Sequence, residues 1–278
     1  MTSGNETTKV VILARGLGKR MRKPDESTKL GGNQAAVADA GFKAMIPMAR
    51  GNGRPFLDYL LSSLADAGLT DVCLVIGPEH HAVRDHYERD TPPSRIKLRF
   101  AIQEHALGTA DAVLSAEEFA GSDRFAVINS DNFYPAEALS ALHTLTEAAI
   151  VGFDRDALVT LGNVPVERTG RFGALDIDPD GYLRRILVSP TEEMLKSGDP
   201  IYSSMNCFLF TKEIFAACRE VPLSARGEYE LPQAVHLAID RGMMRFKVVR
   251  VAAPVLDMSS RGDIQQVAKH LRGIKIDL

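Results

Sequence analysis

The sequence predicts an α/β protein: a doubly wound, mainly parallel sheet with a strand-rich second lobe. Two observations predict it. Short apolar runs alternate with helix-period segments from residue 9 to about 145, and the pattern turns strand-rich beyond about residue 155. Parallel neighbours need a long crossover, which a helix supplies, so this alternation calls for a sheet covered on both faces.

KVVIL (9–13) is a short apolar run that reads as a buried strand. RPFLDYLLSSLADAG (54–68) places Leu57, Leu60, Leu61 and Leu64 at helical spacing, with Gly68 to stop it. DVCLVIG (71–77) reads as a strand, PEHHAVRDHYER as a helix entered through solvated histidines, and KLRFAIQ (97–103) as a strand. GTADAVLSAEEF is helical, RFAVIN (124–129) a strand, and PAEALSALHTL a helix opened by Pro135. In the second half DALVTLG, FGALDIDPDGYLRRIL and SSMNCFLF read as strands, with Asp178-Pro179-Asp180-Gly181 as a turn; EYELPQAVHLAID and GDIQQVAKHL read as helices. Residues 26–42 look like an exposed loop. No Gly/Ser-rich or Pro-rich linker divides the chain, so one domain over 1–278 is expected, with a first half at about 9–135 and a second at about 136–278.

Composition removes several function classes. The chain has 278 residues, 45% hydrophobic, enough for a real core. A formal net charge of −3 gives no bulk attraction to nucleic acid or an anionic membrane. There is no apolar run of membrane-spanning length. The opening MTSGNETTK is polar, and Cys73, Cys207 and Cys218 lack metal-ligand spacing, so a cytoplasmic enzyme is expected.

Chemistry gathers after the first strand. In VILARGLGKRMRK (11–23), Gly16 and Gly18 are followed by Lys19, Arg20, Arg22 and Lys23. Glycines let backbone N–H groups approach an anion, and the cations neutralise its charge. Alone, such a loop equally describes a surface turn with solvated charges. Five further strings follow in order: Lys43-Ala44-Met45-Ile46-Pro47, IQEHALGTADAV (102–113), SDNFYP (130–135), GALDIDPDGYLRRILVSP (173–190) and LDMSSRGD (256–263). Together the set resembles the ordered motifs of the sugar-phosphate nucleotidyltransferases.

The resemblance implies a Rossmann-like fold with a substrate lobe. It implies an activity that joins a nucleoside triphosphate to a small phosphate ester, a sugar 1-phosphate in the first instance, with Mg²⁺ or Mn²⁺ as cofactor. It assigns catalysis to Arg20 and Lys43, nucleotide contacts to Ala14, Gly16, Gly18, Gln103, Gly108 and Thr109, metal binding to Asp131 and Asp257, and acceptor contacts to Gly173 and Asn206. These residue types suit the task. Arginine offers phosphate a planar fork and lysine a point charge. A glutamine amide can pair with a base edge. Mg²⁺ takes one or two carboxylates and fills its shell with phosphates and water.

The chain also departs from that pattern. Val188 and Ser189 stand where a Glu–Lys pair would meet the sugar and its phosphate, and Cys207 where a glycine is usual, which would narrow the pocket. Arg184 and Arg185 are expected to be solvated. Arg15 replaces a small residue, and the stretch from Met21 to Lys43 is long. A non-sugar acceptor such as an aminoalcohol phosphate therefore stays open, as does a catalytically inactive nucleotide-binding regulator. A homo-oligomer is compatible with all three.

Overall fold

A computed structural model describes residues 6–25, 28–49 and 53–278; residues 1–5 of the polar opening and residues 26–27 of the expected loop lie outside the described residues. The strands are β1 (Lys9–Leu13), β2 (Asp71–Ile76), β3 (Lys97–Ile102), β4 (Phe125–Asn129), β5 (Asn132–Phe133), β6 (Ala149–Asp154), β7 (Ala174–Ile177), β8 (Leu183–Leu187), β9 (Tyr202–Phe210), β10 (Lys247–Val251) and β11 (Leu256–Asp257). The main sheet runs β10-β6-β9-β4-β1-β2-β3, with the β7–β8 hairpin joined to β9. Pairs β1–β2, β1–β4 and β2–β3 are parallel, as expected, and β6–β10 is parallel too. β9 is antiparallel to both β4 and β6, so it welds the two halves into one sheet.

Period-2 alternation explains the double cover. In β1, Val10 and Ile12 face one apolar cluster and Val11 the other; in β2, Val72, Leu74 and Ile76 oppose Cys73 and Val75. Helices Phe56–Asp66 and Ala136–Thr144 cover the first face, and Thr109–Leu114, Ile214–Glu220 and Leu231–Asp240 the second. A third cluster lies under the loops, where Met21, Ile46, Phe56, Leu256, Met258 and Ile264 are all buried. Burying a side chain such as Met21 is worth about 1.5–3 kcal/mol. That cluster fastens the loops after β1, before Phe56 and after β11 to one another.

Three local readings are corrected. DALVTLG is not a strand: residues Arg155–Thr160 are helical, because the Asp154 side chain accepts the Ala157 N–H at 2.8 Å and caps a helix there. The strand is the preceding β6. The expected loop contains a helix at Gly32–Ala40, which Gly41 ends at φ 79°. His80 is buried rather than solvated; its Nδ1 accepts the Gly77 N–H at 3.3 Å and its ring meets Phe42 edge-on at 4.7 Å.

Candidate functional site

The end of β1 sets the site. Ala14 is tied to β2 by its N–H, donated to Val75 O at 2.9 Å, and the chain then turns through Gly16–Gly18 into a short helix, Lys19–Arg22. Gly18 sits at φ 58°, and a Cβ there would fall 2.4 Å from Gly41 O, so only glycine fits. A Cβ at Gly16 would meet nothing within 4 Å; this stretch is open to the cavity. Arg261 anchors the short helix from behind, donating Nε–H to Met21 O at 2.9 Å and pairing with Asp39.

A cavity of about 420 Å³ opens over these carboxyl-terminal strand ends, where ligands of open parallel sheets sit. Ala14, Gly16, Gly18, Arg20, Lys43, Gln103, Gly108, Thr109, Asp131 and Asn206 line it. Lys43 Nζ stands 2.8 Å from Asp131 Oδ2, a partly buried ion pair across the cavity wall. Arg20 is exposed and lines the same cavity.

The opposite wall is made by β3 and the following helix. Gln103 is buried and its Nε2 donates to Gly108 O at 3.0 Å and to Asp111 Oδ2 at 2.7 Å. Gly108 has φ 114°, and a Cβ would lie 2.5 Å from Tyr229 O. Thr109 Oγ1 accepts the Leu231 N–H at 2.8 Å, so its hydroxyl fastens the start of helix Leu231–Asp240.

Asp257 and Gly173 do not line the cavity. Asp257 lies just behind Asp131: β11 pairs with β5, and the Met258 N–H reaches Asp131 O at 2.9 Å. Asn163 clamps the Asp257 backbone from both sides at 2.8 Å. Arg168 bridges Asp257 and Asp263, at 2.8 Å each. Burial raises the Asp257 pKa and the Asp131 charge raises it further, against the pull of Ser259 and Arg168. Burial opposes the Arg168 charge, yet Asp263 and Asp257 hold its pKa above the ordinary value. Two mutually repelling carboxylates, Asp131 at the cavity wall just before β5 and Asp257 on β11 behind it, are of the type a hard divalent cation takes one or two of. Among the described residues no cluster of three or more His, Cys, Asp and Glu side chains accompanies them.

In the second half of the chain, Gly173 O accepts the Ser204 N–H at 2.7 Å, and a Cβ at Gly173 would strike Ile186 Cγ2 at 2.4 Å. Asn206 is the non-glycine with positive φ, 51°, among the described residues, and its Nδ2 donates to Asn129 Oδ1 at 3.4 Å. Cys207 does not narrow the cavity; its thiol points into the core, where burial pushes its pKa well up. Val188 is 89% exposed. Arg184 and Arg185 are occupied in surface pairs with Asp176 and Asp240. His105 is exposed outside the lining.

Sequence reasoning missed two charged residues. Arg168 was invisible because its partners lie 89 and 95 positions away. Arg15 was noticed only as an oddity; its side chain is 9% exposed and lines the cavity. Among the described residues no helix is long and apolar enough to cross a membrane.

A family model described as "Nucleotidyl transferase" matches residues 37–257. The low-salt glycan biosynthesis nucleotidyltransferase Agl11 of Haloferax volcanii is 23% identical over 234 residues, covering 84% of this chain and 58% of its own length. The UTP–glucose-1-phosphate uridylyltransferase AglF of the same organism is 26% identical over 264 residues, covering 94% of this chain and 96% of AglF. The crystal structure of a UDP-glucose pyrophosphorylase complexed with UDP-glucose superposes with a TM-score of 0.71 at 15% identity, over 97% of this chain and all of that one. At that identity the likeness establishes the fold.

Proposed function

The chain belongs to the nucleotidyl transferase family, and from that premise we propose that it condenses a nucleoside triphosphate with a sugar 1-phosphate, giving a nucleoside-diphosphate sugar and pyrophosphate. The observation that carries this reading is the convergence of the glycine loop, the Lys43–Asp131 pair and the Gln103–Gly108 wall on one cavity. We read the chain as one nucleotidyltransferase domain, nucleotide half at about 9–135 and acceptor half at about 136–278. Three buried, free cysteines support a cytoplasmic setting.

In this reading, backbone groups of Ala14, Gly16 and Gly18 cradle the triphosphate, and Gln103, Gly108 and Thr109 receive the nucleoside. A phosphate oxygen of the acceptor attacks the α-phosphorus, and the bond to the bridging oxygen of the leaving pyrophosphate breaks. Arg20 and Lys43 stabilise the charge that moves onto that leaving group. Asp131 and Asp257 would hold Mg²⁺ or Mn²⁺, which when bound neutralises phosphate charge and polarises the reacting phosphoryl group. Gly173 shapes the acceptor wall by admitting Ile186 closely, and Asn206 offers it a side chain at the cavity.

A second reading replaces the sugar with a non-sugar phosphate ester. It is favoured by Val188 and Ser189, which leave the acceptor side without a hydroxyl-reading carboxylate and a phosphate-binding cation. Pyrophosphate release over a matrix of triphosphates and phosphate esters tests both. Turnover with a hexose 1-phosphate as best acceptor supports the first reading, and a non-sugar ester as best acceptor the second. Triphosphate binding without turnover would overturn both.

A further inference from the structure

Arg15 is a charged side chain nine-tenths buried at the wall of the cavity, with its bonding unfinished. Its Nη2 lies 3.4–3.5 Å from the two Glu79 carboxylate oxygens, a long contact. Its Nε and Nη1 are buried and make no hydrogen bond among the described residues. Leaving donors of a buried guanidinium unmet is costly, more so than for a neutral group. Room for it is made by Gly77, where a Cβ would fall 2.6 Å from Arg15 Nε.

Its place in the sheet says what it faces. Leu13 pairs with Val75 and Ile76 with Ile102. Continuing that register sets Arg15, Gly77 and Gln103 in one row past the ends of β1, β2 and β3. The phosphate-type cations Arg20 and Lys43 stand instead with the glycine loop and Asp131. Arg15 therefore shares a wall with Gln103.

The polarity of that wall is fixed. Both N–H groups of the Gln103 amide are committed, to Gly108 O and to the Asp111 carboxylate. Only its Oε1, an acceptor, is left to offer. Arg15 carries donors only. We propose that Arg15 is a specificity-determining residue that turns its guanidinium off the long Glu79 contact when a nucleotide binds and donates to a base carbonyl, while Gln103 Oε1 accepts the adjoining ring N–H. The pair would select bases with a lactam edge (uracil, thymine, guanine) and reject adenine and cytosine. The last two present a ring-nitrogen lone pair to Gln103 Oε1, acceptor against acceptor. With the ribose held in place, such a base cannot slide one atom along the wall to recover the match. The proposal rests on the nucleotidyltransferase reading and adds base choice to it.

The test is calorimetric binding of UTP, dTTP, GTP, CTP and ATP, with kcat/KM for those that turn over, in wild type and in Arg15→Ala and Arg15→Met. The methionine variant keeps the buried volume should the alanine variant fail to fold. Wild type is expected to prefer at least one lactam base by about 100-fold over both CTP and ATP, in line with sites built to hydrogen-bond their substrate. In the variants that preference shrinks by about 10-fold, through loss of the lactam base rather than gain of the others, and the remainder is the acceptor–acceptor mismatch at Gln103 Oε1. On wild type, 2-thio-UTP or 4-thio-UTP should bind several-fold more weakly than UTP, since sulfur accepts poorly, and the penalty should vanish in Arg15→Met. An equal loss across all five triphosphates would make Arg15 a phosphate cation, and unchanged selectivity would make it a structural partner of Glu79. Either outcome overturns the proposal and leaves the transferase reading standing. Failure of wild type to bind any triphosphate would overturn both.

Discussion

The two halves of the molecule keep the family pattern to different degrees. In the first half, the glycine loop, Lys43, Gln103 with Gly108, and Asp131 come from four separate segments and meet on one cavity. In the second half, Asn206 reaches the cavity, whereas Gly173, Val188 and Ser189 do not. The difference follows from what each half uses. In the proposed reading, much of the nucleotide side is backbone, such as Gly18 against Gly41 and Gly108 against Tyr229, where any side chain would collide. The acceptor side depends on side chains from a strand edge, which can be exchanged at little cost to the fold. Substrate choice can therefore drift at the acceptor while the nucleotide grip persists.

The largest expected effect falls on the nucleotide half. Asp131→Asn should stay folded, because the partly buried carboxylate is replaced by an isosteric amide, yet lose on the order of 1,000-fold in kcat. Chelator should abolish wild-type activity, and added Mg²⁺ or Mn²⁺ restore it. Pyrophosphate release with a parallel circular dichroism melt checks both. Near wild-type turnover in Asp131→Asn would break the comparison by showing that the matching half is not the working one. Arg20→Ala comes next. An exposed cation acting on charge that develops during displacement should affect kcat more than nucleotide affinity. The expected loss is about 10- to 100-fold in kcat against under about 5-fold in Kd. Equal losses in both would assign Arg20 to ground-state binding.

How much of this was legible follows the same division. The central strands of the first half were readable because each is a short apolar run closed by glycine, proline or a polar turn. β9 was readable as a strand, but its insertion antiparallel between β4 and β6 was not, since no local signal specifies a strand's neighbours. Gly18 and Gly108 were readable as glycines in motifs, and the structure supplies the reason in the backbone each one approaches. Arg168 and the buried state of Arg15 were not readable. Both depend on contacts between segments far apart in sequence, and a single Arg looks the same whether solvated or enclosed.

The acceptor half yields a smaller effect. Val188→Glu with Ser189→Lys should leave stability within about 0.5 kcal/mol, as both sites are exposed. It should raise kcat/KM for glucose 1-phosphate by about 3- to 10-fold relative to the best native acceptor, because a cation and a hydroxyl-reading carboxylate return to that edge. Kinetics of wild type and double variant on both acceptors decide it. If wild type already takes glucose 1-phosphate best, the acceptor half has found another way to hold the same substrate, and the contrast between halves fails.

The smallest effect compares one imidazole from each half, His80 buried and His236 half-buried. His80 Nδ1 accepts the Gly77 N–H at 3.3 Å, and His236 Nε2 accepts the Ile186 N–H at 2.9 Å. Burial lowers both pKa values from the usual 6.5; Arg15 and Arg22 add to it at His80, and Arg185 at His236, while Glu79 at His80, and Asp240 and the Ile186 backbone at His236, pull the other way. In the unfolded chain each ring takes its proton near 6.5, and in the folded protein only at lower pH. The stabilisation is therefore complete above 6.5 and is lost as pH falls from there through the folded value. Protonation also sets an N–H against the N–H it had accepted. The consequences differ between the halves. β2 is held in ladders with both β1 and β3, so Gly77 can lose its partner with little local effect. β8 forms its ladder with β7 alone among the described strands, and its other side is tied at the turn end by Leu183 N–H donated to Phe246 O at 2.9 Å, so losing the His236 bond loosens that side beyond Leu183. Acidification from pH 7.5 to 5.5 should thus lower Tm modestly and reduce hydrogen-exchange protection at Ile186 more than at Gly77. His236→Gln, whose amide oxygen can accept the same N–H without titrating, should flatten the fall at Ile186. Equal loss of protection at the two amides would show the acceptor hairpin to be as firmly held as the nucleotide wall.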